Sequence, residues 1–231
     1  MTRKSSPHTK RIVVSEEELQ LAASSHDDKY SLVTDEAVSR RQIHLIDEVS
    51  DVAFEQVKNL YDQLIEEDPT KPIHFVLGTV GGDVRSMLGI MNLMLLSKTP
   101  CYTYLMSETC SAGAWIYLCG HKRFAPKTSL VSFMLHPMEW NRSDSLGNHD
   151  SHNKYVEKLS QQLINLTVKK TKLSYRKLKK LATTETQYFV GEELFEHGIA
   201  TDELTTATFW HEEKPVKEAK RKSQPLTEEK K

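Results

Sequence analysis

Cysteine is scarce in this chain. Of 231 residues only three are cysteine, Cys101, Cys110 and Cys119. A small, odd number excludes a disulfide frame and predicts buried free thiols in a reducing compartment. An excess of charge of one sign is missing too: 31 basic against 32 acidic side chains leave a net charge of −1. That excludes a broad basic field, and with it nucleic acid as the main partner. No apolar run approaches the roughly 20 residues of a membrane span, so no membrane association is expected. The basic opening, Met1 to Arg11, has no apolar stretch behind it, so no secretory signal is visible. Internal repeats are absent as well. What remains is the expectation of a cytoplasmic chain with one folded domain and tails, since α/β folds often reach about 250 residues as one unit.

Organisation follows from composition. Residues 1–38 are polar and Ser-rich, and Ser15 with Glu18 fits a capping box. A short helix over Glu16–Ala23 and a loose arm are both compatible with that segment. Residues 211–231 cannot bury enough apolar surface to offset chain entropy and are expected to be disordered. Between them, over 39–210, strand and helix signals alternate. Strands are predicted at Gln42–Ile46, Ile73–Leu77, Cys101–Met106 and Leu130–Leu135. Helices are predicted at Asp51–Glu67, Val84–Ser97, Ser111–Cys119, Lys154–Lys172, Tyr175–Leu181 capped by Ser174, and Glu192–His197 closed by Gly198. The alternation implies βαβ units with right-handed crossovers, and the apolar strands imply a sheet covered on both faces.

Two strand-to-helix junctions carry the chemistry. At Gly81-Gly82 the backbone can approach a ligand with its N–H groups exposed, although a tight turn needs no more than the same two glycines. At Cys110-Ser111-Ala112-Gly113-Ala114 a helix begins at Ser111, where the positive end of the dipole and the free N–H of Ala112 favour an oxyanion. An ordinary Ser N-cap is the plainer account of that junction. Cys110 is a rival nucleophile by type, but it sits one residue earlier and is expected to point elsewhere. His136 closes the Leu130–Leu135 strand. Gly82, Ser111 and His136 therefore all fall at the carboxyl ends of strands, where open α/β sheets gather ligands. His149 and His152 lie in a polar segment without ligand spacing to other donors, so no metal site is expected.

These residues resemble the Clp protease proteolytic subunit family (ClpP), serine peptidases on the crotonase-like fold. The family's S-P-G-G is Thr79-Val80-Gly81-Gly82 here, its A-S-M-G-A is Cys110-Ser111-Ala112-Gly113-Ala114, and its M-I-H-Q-P is Met134-Leu135-His136-Pro137. Its R-x-A-x-x-N-[SA] stretch runs from Arg123 to Ser129, and its E-A-x-x-Y-G-L-x-D segment from Glu193 to Thr201. Ser111 follows Gly82 by 29 residues and precedes His136 by 25, the ungapped family spacing. The resemblance covers about residues 38–205. It implies an α/β fold of repeated ββα units, a parallel sheet flanked by helices, with a long handle helix at Lys154–Lys172. It implies Ser111 as nucleophile, His136 as general base and then acid, and the N–H groups of Gly82 and Ala112 as oxyanion hole. It further implies self-assembly into stacked rings, a tetradecamer, fed with polypeptide substrates by an AAA+ unfoldase of the Clp type. The chain itself then carries no cofactor, in keeping with the lack of a G-x-x-x-x-G-K-[ST] motif.

The chain also departs from the family pattern. Ala112 replaces the usual Met, and Met138-Glu139-Trp140-Asn141-Arg142 replaces a glycine-rich strand that binds the substrate backbone. Where the family has R-D-R-[FY], this chain has Glu185-Thr186-Gln187-Tyr188, which puts Thr186 at the position of the catalytic aspartate. Thr186 can accept a hydrogen bond from the histidine but brings no charge, and Glu185 could serve only through a bulge. The leading expectation is a serine endopeptidase of low activity. The alternatives are a catalytically weak or inactive subunit with a structural or regulatory place in a mixed ring, and other uses of the fold such as a capsid maturation protease or an acyl-CoA enzyme.

Overall fold

The computed structural model describes residues 40–128, 130–138 and 146–209. The expectations for the helix at Glu16–Ala23, for the tail over 211–231 and for the segment from Glu139 to Arg142 lie outside the described residues. The elements run β1 (Gln42–Leu45), α1 (Asp51–Glu67), β2 (Ile73–Leu77), α2 (Val84–Leu96), β3 (Cys101–Leu105), β4 (Glu108–Cys110) and α3 (Ala112–Leu118). They continue with β5 (Lys122–Ala125), β6 (Ser132–Leu135), α4 (Leu146–Lys170), α5 (Tyr175–Thr183), β7 (Gln187–Val190), α6 (Glu193–Glu196), β8 (Asp202–Glu203) and α7 (Thr206–Phe209).

Five parallel strands form the main sheet in the order β1-β2-β3-β5-β8. Three others, β4-β6-β7, make a second small sheet in which β6 and β7 are antiparallel. This corrects the expected layout in one respect that matters for function. The strand that leads into Ser111 is β4, not β3, and its partner is β6, the strand that leads into His136. A short link, Met106-Ser107, lets the chain leave one sheet and enter the other.

The core follows the side-chain period of two along the strands. Ile43, Leu45, Ile73, Phe75, Leu77, Cys101 and Leu105 pack with Val57, Tyr61 and Leu64 of α1 and Met87, Ile90 and Met94 of α2 in one buried cluster. The alternate positions, Val76, Tyr104 and Phe124, are buried but lie outside that cluster. On their face His44 and Lys122 are exposed and His74 and Tyr102 are half-buried. The second face is rich in aromatic side chains, with Tyr104 stacked on Phe124 at 4.7 Å between ring centroids.

Local signals account for the element ends. Ser50 caps α1 by accepting from Ala53 N–H, and Asp83 caps α2 by accepting from Ser86 N–H. Ser174 caps α5 as expected, accepting from Lys177 N–H. Gly198, with φ 64°, ends the turn after α6 in the left-handed region. Behind the sheet, the buried guanidinium of Arg123 donates to the carbonyls of Ile199, Gly120, Lys170 and Gly198, which ties β5 to the end of α4 and the approach to β8.

Candidate active site

The site is built from three strand ends. Gly81-Gly82 follow β2, Ser111 follows β4 and His136 follows β6. Parallel pairing of β4 with β6 aligns Cys110 with Met134, so Ser111 and His136 leave adjacent strands on the same side. The imidazole Nε2 of His136 lies 2.7 Å from Ser111 Oγ. For the hydroxyl to donate into Nε2 the ring proton must sit on Nδ1. Among the described residues Nδ1 has no hydrogen-bond partner.

Ser111 is not an ordinary cap. Its backbone stands at φ 53°, ψ −120°, and its side chain makes no capping hydrogen bond. A non-glycine residue held there costs about 1–3 kcal/mol and persists only where the surroundings over-determine it. They do so here: Cys110 N–H donates to Thr79 O at 2.9 Å, Ser111 N–H to Met134 O at 3.0 Å, and Trp115 N–H to Ser111 O at 3.2 Å. The strain turns the hydroxyl away from its own helix and toward His136.

The glycine turn is held as tightly. Val49, far back in the chain, donates to Gly81 O at 2.8 Å and accepts from Asp83 N–H at 2.6 Å, bridging the turn in parallel. Gly82 lies between those two bonds, so neither uses its own N–H. Gly81 N–H donates to Thr79 Oγ1 at 3.1 Å. Both glycines are in the positive-φ region, and a Cβ at Gly81 would stand 2.7 Å from Ser111 Cβ, one at Gly82 2.3 Å from Val49 O. No side chain other than hydrogen fits either place. Ala112 N–H is the first orphan donor of α3. It and the Gly82 N–H border the same cleft of about 190 Å³, lined by Gly82, Val84, Met87, Ser111, Ala112, Trp115, His136 and Met138.

The other expected residues fall as follows. Cys110 is buried, and burial, with Glu108 adding to it, pushes its thiol up to about 12. It is a packed neighbour, not a rival for the cleft. The antiparallel register of β6 on β7 pairs Leu135 with Gln187. The ladder ends there, and His136 and Thr186 are the next residues beyond its last pair. Glu185 is turned elsewhere: its carboxylate lies 2.9 Å from Lys180 Nζ and 3.9 Å from Lys177 Nζ, and the hydrogen bond from Lys180 holds it below the usual carboxylate range. Among the described residues no group of three His, Cys, Asp or Glu side chains is placed to hold a metal ion.

Six contributors do not announce their roles in the sequence. Val49 lies in a loop 33 residues before Gly82, and nothing local marks it. Thr79 stood inside a quoted motif, and a threonine two residues ahead of a glycine is a recognisable hydroxyl-to-backbone turn. Trp115, Val84, Met87 and Met138 form the apolar wall, and only the fold brings them to one place.

A mostly parallel α/β sheet flanked by helices, with a serine–histidine contact beside free backbone donors, fits the hydrolase class. The comparison with known families agrees: the model of the Clp protease family matches residues 25–206, and the chain belongs to that family. It is a ClpP-like peptidase by family, of a kind that assembles into oligomers and works with Clp-type unfoldases. No helix among the described residues is long and apolar enough to cross a membrane.

Proposed function

We propose that the chain is a serine endopeptidase acting on unfolded polypeptide, with Ser111 as nucleophile and His136 as its base. The observation that carries this is the 2.7 Å contact between Ser111 Oγ and His136 Nε2 on a strained turn beside two free N–H groups. His136 takes the Ser111 proton as Oγ attacks the peptide carbonyl. The oxyanion forms toward Gly82 N–H and Ala112 N–H, which are fixed before the reaction and need no reorganisation. His136 then gives its proton to the leaving amine, an acyl-serine remains, and water reverses the steps. The apolar wall of Val84, Met87, Trp115 and Met138 takes an uncharged side chain next to the scissile bond.

The third position is occupied by Thr186, whose hydroxyl can orient the imidazole without stabilising its charge. A second reading, a weak or inactive subunit in a mixed ring, draws support from that missing carboxylate and from the unpartnered Nδ1. The assembly is proposed as a homo-oligomeric double ring in the cytoplasm, served by a Clp-type AAA+ unfoldase. Labelling with a fluorophosphonate probe, followed by peptide mapping, tests the reading. A modified Ser111 peptide is expected, lost in Ser111→Ala together with peptide hydrolysis, a drop of about 10⁴–10⁶ in rate. Labelling that survives in Ser111→Ala would move the nucleophile elsewhere, and no labelling of the wild type would leave the inactive subunit.

A further inference from the structure

The near-zero net charge conceals a segregated one. From Lys158 to Thr184 there are eight Lys and Arg residues and no Asp or Glu. Half of these cations belong to α5, whose inner face is Leu178, Leu181 and Ala182. Arg176, Lys179 and Lys180 lie on its exposed face at three- and four-residue spacing. Among the described residues Glu185 is the one carboxylate that meets this helix, and it is shared by Lys177 and Lys180. Arg176 and Lys179 have no ion-pair partner there.

The helix is charged against its own stability. Like charges at i,i+3 and i,i+4 repel, as Arg176 does with Lys179 and Lys180. Arg176 and Lys177 also sit in the first turn, which holds no acid, where cations oppose the helix dipole. Neither cost is relieved within the described chain, and an anionic partner along the stripe relieves both.

We propose that the exposed face of α5 is a docking surface for an acidic segment of another protein, with carboxylates at helical spacing. The dimensions favour this occupant. Arg176 to Lys180 spans about 6 Å of helix axis, room for two or three anionic groups. Acidic borders limit the stripe: Glu185 lies past its end, and Lys172 N–H donates to His197 O, which brings up α6 with the exposed Glu192, Glu193 and Glu196. A long polyanion such as duplex nucleic acid would run over those carboxylates. A membrane would need an apolar face, and that of α5 is buried in the core.

The test uses the full chain and a fluorescein-labelled helical peptide of about 15 residues with glutamates three and four apart. Anisotropy should report binding that weakens as salt rises from about 0.05 M to about 0.2 M, and no binding of the glutamine version. Arg176→Gln with Lys179→Gln should weaken binding about fivefold, the combined worth of two exposed ion pairs, with peptide hydrolysis unchanged and thermal unfolding shifted slightly upward, as relief of the repulsion requires. Arg176→Glu with Lys179→Glu should reject the glutamate peptide and accept its lysine counterpart. Equal binding of the glutamate and glutamine peptides, or no effect of the glutamine pair, overturns the proposal. So does tighter binding, through these residues, of a 20-base-pair duplex or of vesicles containing phosphatidylserine. A sharp gain in peptide affinity on replacing Glu16, Glu17 and Glu18 with Gln also overturns it, because this chain's own arm would then be the occupant.

Discussion

Thr186→Asp is expected to raise peptide hydrolysis by about 10²-fold. The β6–β7 ladder ends on the pair Leu135–Gln187, with His136 and Thr186 next in each strand's path, so the prediction takes the pairing one step further. Residues directly opposite in an antiparallel pair lie about 4.5–5.5 Å apart at Cα, within reach of a carboxylate to the imidazole Nδ1. In intact triads, replacing this acid by an amide costs about 10⁴, largely because the wrong tautomer is imposed. A threonine hydroxyl brings no charge, and Nδ1 has no hydrogen-bond partner among the described residues, so an aspartate there supplies the missing orientation and the stabilisation of the imidazolium, a gain set at the lower end of the general-base range. The assay is kcat/KM on a fluorogenic peptide, with fluorophosphonate titration to count reactive serines, so that a change in rate per site is separated from a change in folded fraction. Glu185→Gln should leave the rate nearly unchanged, because Lys180 and Lys177 engage that carboxylate. The reasoning is refuted if Thr186→Asp folds and titrates normally without a gain while Glu185→Gln silences the protein. A bulge would then shift the register, and Glu185 would be the acid.

Further outcomes follow from the packing. Gly82→Ala places a methyl 2.3 Å from Val49 O at φ 147°, so the turn must move; hydrolysis should fall by at least about 10² through the lost oxyanion donor, with probe labelling slowed in parallel. Arg123→Met strands buried carbonyls of Ile199, Gly120, Lys170 and Gly198 and should cost about 3–5 kcal/mol, read as a fall in Tm of about 10 °C or more. Arg123→Lys should recover little, since a single ammonium cannot replace the fork. Cys101, Cys110 and Cys119, each pushed up to about 12 by burial, should resist iodoacetamide at pH 8 in the native protein and react together on unfolding. Rapid alkylation of Cys110 in the native state would show the cleft to be more open than described.

Much of this was legible in the sequence alone. Alternating apolar runs marked β2 and α1 at the residues where they stand, because a period of two or 3.6 is a local property. Ser174 and Gly198 announced element ends through their own chemistry. The placement of Gly82, Ser111 and His136 at strand ends needed only the order of elements, and the charge run from Lys158 to Thr184 could be counted directly. Other features were decided only by tertiary structure. Of the small β4-β6-β7 sheet only β6 was expected; β4 and β7 were missed because strands of three or four residues carry too few positions for a period to show. The clamp of Val49 on the glycine turn, and the pairing of Leu135 with Gln187 that brings the ends of β6 and β7 together, join segments far apart in the chain. Ser111 stands at positive φ although its residue type gives no hint of it: three backbone hydrogen bonds from separate strands and the helix override the preference of a single residue, and only the assembled fold brings those partners to it.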